Sequence, residues 1–124
     1  MRKTDKKIPD SQRSPCPVAC TLDVLGDKWT LIVVRDLLLG KTTYGELQQS
    51  PESIPTNILA DRLKRLQAAG VIEKALYQER PPRYAYRLTQ KGRDLGPVLL
   101  EMVRWGLKHI AGTDAPAQVK ALLE

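Results

Sequence analysis

The sequence predicts a mainly α fold with one small β-hairpin, an α+β chain whose helices build the core. Three observations lead there. Apolar residues recur at helical spacing between Pro17 and Gly70, the period changes to two between Val71 and Leu88, and helical spacing resumes after Thr89. At 124 residues the chain fits one domain with one modest hydrophobic core.

Each element has a local reason. Pro17 suits a first helical turn, where its missing N–H has no partner to lose, and Gly26-Asp27 ends a short helix at about Leu25. Asp27 is placed to cap a second helix, Lys28 to Leu39, which is apolar nearly all round and so belongs at the centre of the core; Gly40 stops it. Thr42 or Thr43 caps a short third helix through Gln48, softened by Gly45. Ser50 to Pro55 is turn chemistry, with Ser53 the candidate cap for the fourth helix because Pro55 has no side chain to serve. That helix runs from about Pro55 to Ala69 and stops at Gly70. Strands are expected over Val71–Tyr77 and Arg83–Leu88, with Tyr84, Tyr86 and Leu88 on one face and Arg83, Ala85 and Arg87 on the other. A last long helix is expected after Thr89, over about residues 90–111.

Composition narrows the partners. Lys and Arg number 20 against 14 Asp and Glu, a net charge of +6 that favours a polyanion such as nucleic acid or an acidic membrane surface. The longest nearly apolar run, Leu31–Leu39, falls far short of the roughly 20 residues of a membrane span. The basic N-terminus is followed by no apolar stretch, so the expected location is the cytoplasm, with Cys16 and Cys20 reduced. Residues 1–14, basic and poor in apolar side chains, read as a flexible arm that either touches phosphates or is simply solvated.

The fourth helix carries the functional signal. At about 100° per residue, Leu59, Leu63 and Leu66 form one stripe, while Asn57, Asp61 and Lys64 lie opposite with Ala60 and Arg65 at the margins. Such a face suits the DNA major groove, where Asn pairs with adenine, Lys reaches guanine or phosphate, and Asp accepts from cytosine. A solvated amphipathic helix has the same pattern, so context decides. A short helix, a turn and a polar-faced helix make a helix-turn-helix, and a hairpin bearing Arg80, Arg83 and Arg87 supplies a basic wing. The candidate double-stranded DNA contacts are Tyr44, Thr56, Asn57, Ala60, Asp61, Arg62, Lys64, Arg65, Arg80, Arg83 and Arg87.

The segments Cys16-Pro17-Val18 and Leu22 to Thr30, Asn57 to Leu66 with Ala69-Gly70-Val71-Ile72, and Pro81 to Gly92 resemble, in unbroken order, the opening, recognition helix and wing of HxlR-type regulators, relatives of the MarR winged-helix proteins. The resemblance covers roughly residues 16–106. It departs at Pro55, where the family often has Ser, and at Gly45, which replaces a polar residue. It implies a winged helix-turn-helix with an added C-terminal dimerisation helix, in a transcription regulator that binds DNA as a homodimer and is not an enzyme. The expected organisation is a domain over 15–112, including a dimerisation helix over 90–111, and a C-terminal tail over 113–124.

The resemblance assigns Leu95, Leu99, Met102, Val103, Trp105, Gly106 and Ile110 to the dimer contact, although the same stripe could pack on its own core. A two-fold dimer sets its recognition helices about 34 Å apart and prefers an inverted repeat. Cys16, at a helix start where the dipole favours thiolate, has two readings: an inert thiol, or the oxidant or electrophile sensor that some relatives carry at this position. Two cysteines and the lone His109 do not make a zinc site, and no cofactor is expected. An enzyme lacks its motifs here, since there is no phosphate-binding glycine loop and no recognisable acidic pair. A winged helix used only for protein contact remains the alternative.

Overall fold

The computed structural model describes residues 13–124; the expected arm falls on it only at Arg13 and Ser14. In chain order the elements are α1 (Pro17–Leu25), α2 (Thr30–Leu38), α3 (Tyr44–Gln48), α4 (Thr56–Ala68), β1 (Ile72–Gln78), β2 (Arg83–Leu88), α5 (Gln90–Arg93), α6 (Gly96–His109) and α7 (Ala117–Ala121). The mainly α fold with one hairpin is therefore as expected. Val33, Val34 and Leu37 of α2 meet Leu47 of α3, Leu59, Leu63 and Leu66 of α4, and Val71, Ile72 and Leu88 at the hairpin base. This cluster sets the pose of α4, because its leucine stripe is wholly buried and its other side is left to solvent.

Helix α2 starts two residues later than expected. Asp27 closes a turn before it: Oδ1 accepts from the backbone N–H of Trp29 at 2.7 Å and of Thr30 at 2.9 Å, and Oδ2 accepts from the Thr30 hydroxyl. The N-cap position is therefore Trp29, which has no side-chain cap, and not Asp27 as expected; Asp27 instead satisfies the first N–H groups through a side-chain turn ahead of the helix. Arg35, on the same helix, spans Asp36 and Glu52 and touches Ser50, fastening α2 to the segment before α4. Within the predicted cap pair, Thr43 is the one at the N-cap of α3, and Glu46 returns the bond to make a capping box.

Ser53 does not cap α4. Its backbone sits at φ 59°, in the left-handed region, and α4 has no side-chain cap at all. The next residue, Ile54, is buried in the core, so the chain turns inward just before α4 begins.

Strands β1 and β2 pair antiparallel, with Ile72 opposite Leu88, Lys74 opposite Tyr86 and Leu76 opposite Tyr84. Tyr86 also donates its backbone N–H to the Thr42 carbonyl at 2.7 Å, docking the wing on the entry to α3. The expected single last helix is two. Pro97 has no N–H for the Arg93 carbonyl and cannot continue α5, so the chain turns at Asp94-Leu95 and restarts as α6. Gly92 sits so close to the hairpin base that a Cβ there would lie 2.2 Å from the Val71 carbonyl oxygen, so this position admits no side chain.

The expected tail is partly ordered. Thr113 bonds the last carbonyls of α6 at Gly106 and Ile110, Lys120 pairs with Asp114, and α7 returns near α6, where Arg104 reaches the Leu123 carbonyl at 3.4 Å.

Candidate nucleic-acid interface

Helix α4 presents Asn57, Ala60, Asp61 and Lys64 on the side away from its leucines, as its periodicity dictates. These residues line a shallow concavity of ≈ 510 Å³ whose other walls are Tyr44, Gln67, Lys74 and Tyr86. Tyr44 closes the α3 side and donates its hydroxyl to the Thr56 carbonyl at 2.7 Å, tying α3 to the first residue of α4. Thr56 and Asn57 lie exposed at an uncapped helix start, where backbone N–H groups and the helix dipole favour an anion.

Lys74 is a residue that the sequence reading missed. It shares its strand face with Ile72, and the hairpin folds that face towards α4, so its ammonium joins the same concavity and stands 4.4 Å from the Tyr84 ring centre. The signal was available in the alternation of β1, where even-numbered positions follow the buried Ile72.

The basic residues fall into different settings. Arg80 and Arg83 stand exposed around the hairpin turn. Arg87 is exposed too, but it lies opposite Glu73 and pairs with it at 2.5 Å, so it is a cross-strand tie before it is a free cation. Arg62 departs most from expectation. Its side chain is 13% exposed and faces the α1–α2 turn, with Nε 3.2 Å from Asp27 Oδ1 and Nη1 on Asp61. At 140° from Asn57 around the helix, by the ~100° step, it belongs to the packed flank and holds α4 to Asp27. Asp61 pairs in turn with Arg65, one helical turn on, at 2.9 Å.

The proposed dimer stripe is also divided. Leu95 and Leu99 pack against this chain's own core, because α6 begins beneath α2. Val103 and Gly106 are half-buried, whereas Met102, Trp105 and Ile110 are exposed, joined by Val98 on α6 and by Val18 and Leu22 on α1. Cys16 is exposed at the N-cap of α1; Cys20 is half-buried and donates its thiol to the Ser14 carbonyl at 3.2 Å. Arg13 folds back to Asp23 at 3.0 Å, fixing this entry to α1. Among the described residues, no group of three His, Cys, Asp or Glu could hold a metal ion, and no helix is long and apolar enough to cross a membrane.

A short helix, a turn, an exposed polar-faced helix and an adjoining two-stranded wing define a winged helix-turn-helix protein. The HxlR-like helix-turn-helix family model matches residues 24–114, and the chain belongs to that family of transcriptional regulators. It is 36% identical over 103 residues to YybR of Bacillus subtilis (strain 168), an uncharacterized HTH-type transcriptional regulator, covering 83% of this chain and 82% of YybR. Among solved structures it resembles PA1607, a candidate transcription factor, with a TM-score of 0.73 and 40% identity over 84% of this chain and 72% of that one. It also resembles the reduced form of the redox regulator HypR, with a TM-score of 0.71 and 35% identity over 77% of this chain and 95% of that one. These relatives are regulators rather than enzymes.

Proposed function

We propose that the chain is a sequence-specific regulator that binds double-stranded DNA as a homodimer, laying α4 in the major groove. The observation that carries this is the open face of Asn57, Ala60, Asp61 and Lys64, which forms one concave surface with Lys74 of the wing while the leucine stripe fixes the helix from behind. Asn57 would pair with adenine, Lys64 and Lys74 would meet guanine or phosphate, and the uncapped start of α4 at Thr56 would receive a backbone phosphate. Arg80 and Arg83 of the wing reach the flanking duplex. Two copies joined through α6 bring two such helices to an inverted repeat.

The test is a gel-shift series on the promoter region of the protein's own gene over a range of salt. Wild type should retard the fragment with affinity falling steeply as salt rises, because phosphate contacts release counterions. The Asn57→Ala/Lys64→Ala double variant should lose the shift while its circular dichroism stays that of wild type. Retention of full affinity would remove α4 from the reading. Wild-type binding that is absent, or independent of salt, would favour the protein-contact alternative.

A switch through Cys16 is a second reading, favoured by its exposure at the N-cap of α1 and by the likeness to a redox regulator. Its thiolate would add to an electrophilic double bond, such as the N=N bond of diamide, forming an S–N bond as the π bond breaks, with the thiol proton ending on the other nitrogen. Helix α1 leads directly into Asp27 and thence to Arg62 on α4, so a change at Cys16 has a physical route to the DNA face. Diamide should release wild type from DNA but leave Cys16→Ser bound; equal release of both would acquit Cys16.

A further inference from the structure

Four charged side chains are linked across α4, from its packed flank to Asp61 on the open face and on to Arg65 at the margin of that face. At the inner end, the Asp27 carboxylate is held by the backbone N–H groups of Trp29 and Thr30 and by the Thr30 hydroxyl. Arg62, largely buried, lies between Asp27 and Asp61 and bonds both. Asp61 Oδ2 then stands 2.9 Å from Arg65 Nε, and the Arg65 side chain is 67% exposed. Each member is positioned by the one behind it, so Arg65 is oriented from the interior although it lies on the surface.

We propose that Arg65 is a specificity-determining residue that reads a guanine, and that Asp61 is the positioning residue that aims it. This rests on the DNA-binding reading above and deepens it. The covalent geometry of a guanidinium supplies the first reason. With Nε facing Asp61, the fork left over is the Nη1–Nη2 edge, whose two parallel donors match the O6 and N7 acceptors of guanine.

Charge supplies the second reason. Asp27, Arg62, Asp61 and Arg65 sum to zero, and the Asp61 carboxylate would repel a phosphate brought against Arg65. Attraction to the DNA backbone is therefore weak at this guanidinium, while directional hydrogen bonding to a neutral base edge is kept. Entropy supplies the third, since an arginine already confined by a carboxylate loses less rotamer freedom on contact. Arg65 follows Asn57 by eight residues, about 12 Å along the helix axis. The two side chains therefore address different base pairs, roughly three to four steps apart.

The experiment is selection of binding sites from a random-sequence duplex pool by the full-length wild type and by Arg65→Ala, Arg65→Lys and Asp61→Asn, followed by salt titration on the wild-type winner. Wild type should enrich guanine at one position of each half-site. Arg65→Ala should lose preference at that position alone and bind the wild-type winner about tenfold or more weakly, the scale of one bidentate base contact, with an unchanged salt slope. Arg65→Lys, which keeps the charge but not the fork, should lose the same preference. Asp61→Asn should relax the guanine preference and steepen the salt slope by about one, as Arg65 is freed to reach a phosphate. Uniform weakening on every sequence with a slope reduced by about one in Arg65→Ala would make Arg65 a phosphate contact and overturn the proposal. So would preferences identical across all four proteins. Failure of wild type to retain any duplex would overturn the DNA-binding reading itself, and this assignment with it.

Discussion

Asp27 and Glu52 are carboxylates held ionised by partners on other elements, and this links the helix-turn-helix to pH. Burial works against the Asp27 charge, but the Thr30 hydroxyl, the backbone N–H groups of Trp29 and Thr30, and Arg62 outweigh it and hold the group at about 2. Arg35 draws Glu52 down to about 2, with burial opposing and Ser50 assisting. Both values are depressed below those of the unfolded chain. The stability they contribute is thus complete above about 4.5 and is lost as pH falls from there towards about 2. Thermal midpoints should fall through that window, and Asp27→Asn/Glu52→Gln should show a shallower fall from a lower start. Asp27→Ala should lose about 0.5–2 kcal/mol at neutral pH, the range for losing an N-terminal cap, measurable by urea unfolding. A wild-type midpoint flat between these pH values would refute the assignment.

At the level of elements, what the sequence made legible was whatever a single segment decides for itself. The leucine stripe of α4 follows from spacing alone, and Gly40 and Gly70, at φ 105° and 75°, mark helix ends that only their own backbone freedom explains. The polar arc of Asn57, Asp61 and Lys64 was legible by the same arithmetic. The break between α5 and α6 was also written locally, in Gly96-Pro97, but the apolar period runs on through it and masks the missing hydrogen bond. Pairings between segments were hidden. Arg62 looks like one more groove-facing base until Asp27, 35 residues away in sequence, is seen to hold it. Arg87 looks like a free wing cation until the register places Glu73 opposite. The alternation of β1 puts Lys74 on the face of Ile72, but only the packing of that face beside α4 shows what it joins. A carboxylate's partner depends on tertiary approach, which no periodicity encodes, so residues of one type divide into tethers and contacts only once the fold is known.

For the molecule as a whole, the exposed side of α6 is the feature that one chain does not account for. Val98, Met102 and Trp105 recur at i, i+4 and i+7, so they share a face, and Trp105 is 62% exposed. Val18 and Leu22 of α1 add a second unburied apolar strip, at 67% and 52% exposure. Fully burying one such side chain contributes roughly 1.5–3 kcal/mol, and exposed apolar strips of this kind mark an interaction surface. A second copy is the occupant that suits the function, because a single recognition helix reads too few base pairs to discriminate, whereas a two-fold pair doubles the contact at fixed spacing. Wild type should therefore elute and scatter light as a dimer. Met102→Glu/Trp105→Glu places two carboxylates on that face without touching the Val33–Leu59–Leu88 core, so the variant should keep its helical circular dichroism while becoming monomeric. Its affinity for the selected duplex should drop by more than tenfold, about the effect of removing 1.4 kcal/mol or more of binding energy. The salt slope per bound chain should stay close to that of wild type, because the α4 and wing contacts remain. A double variant that stays dimeric would move the interface elsewhere on the surface. A monomeric variant with undiminished affinity would break the link between dimerisation and DNA recognition.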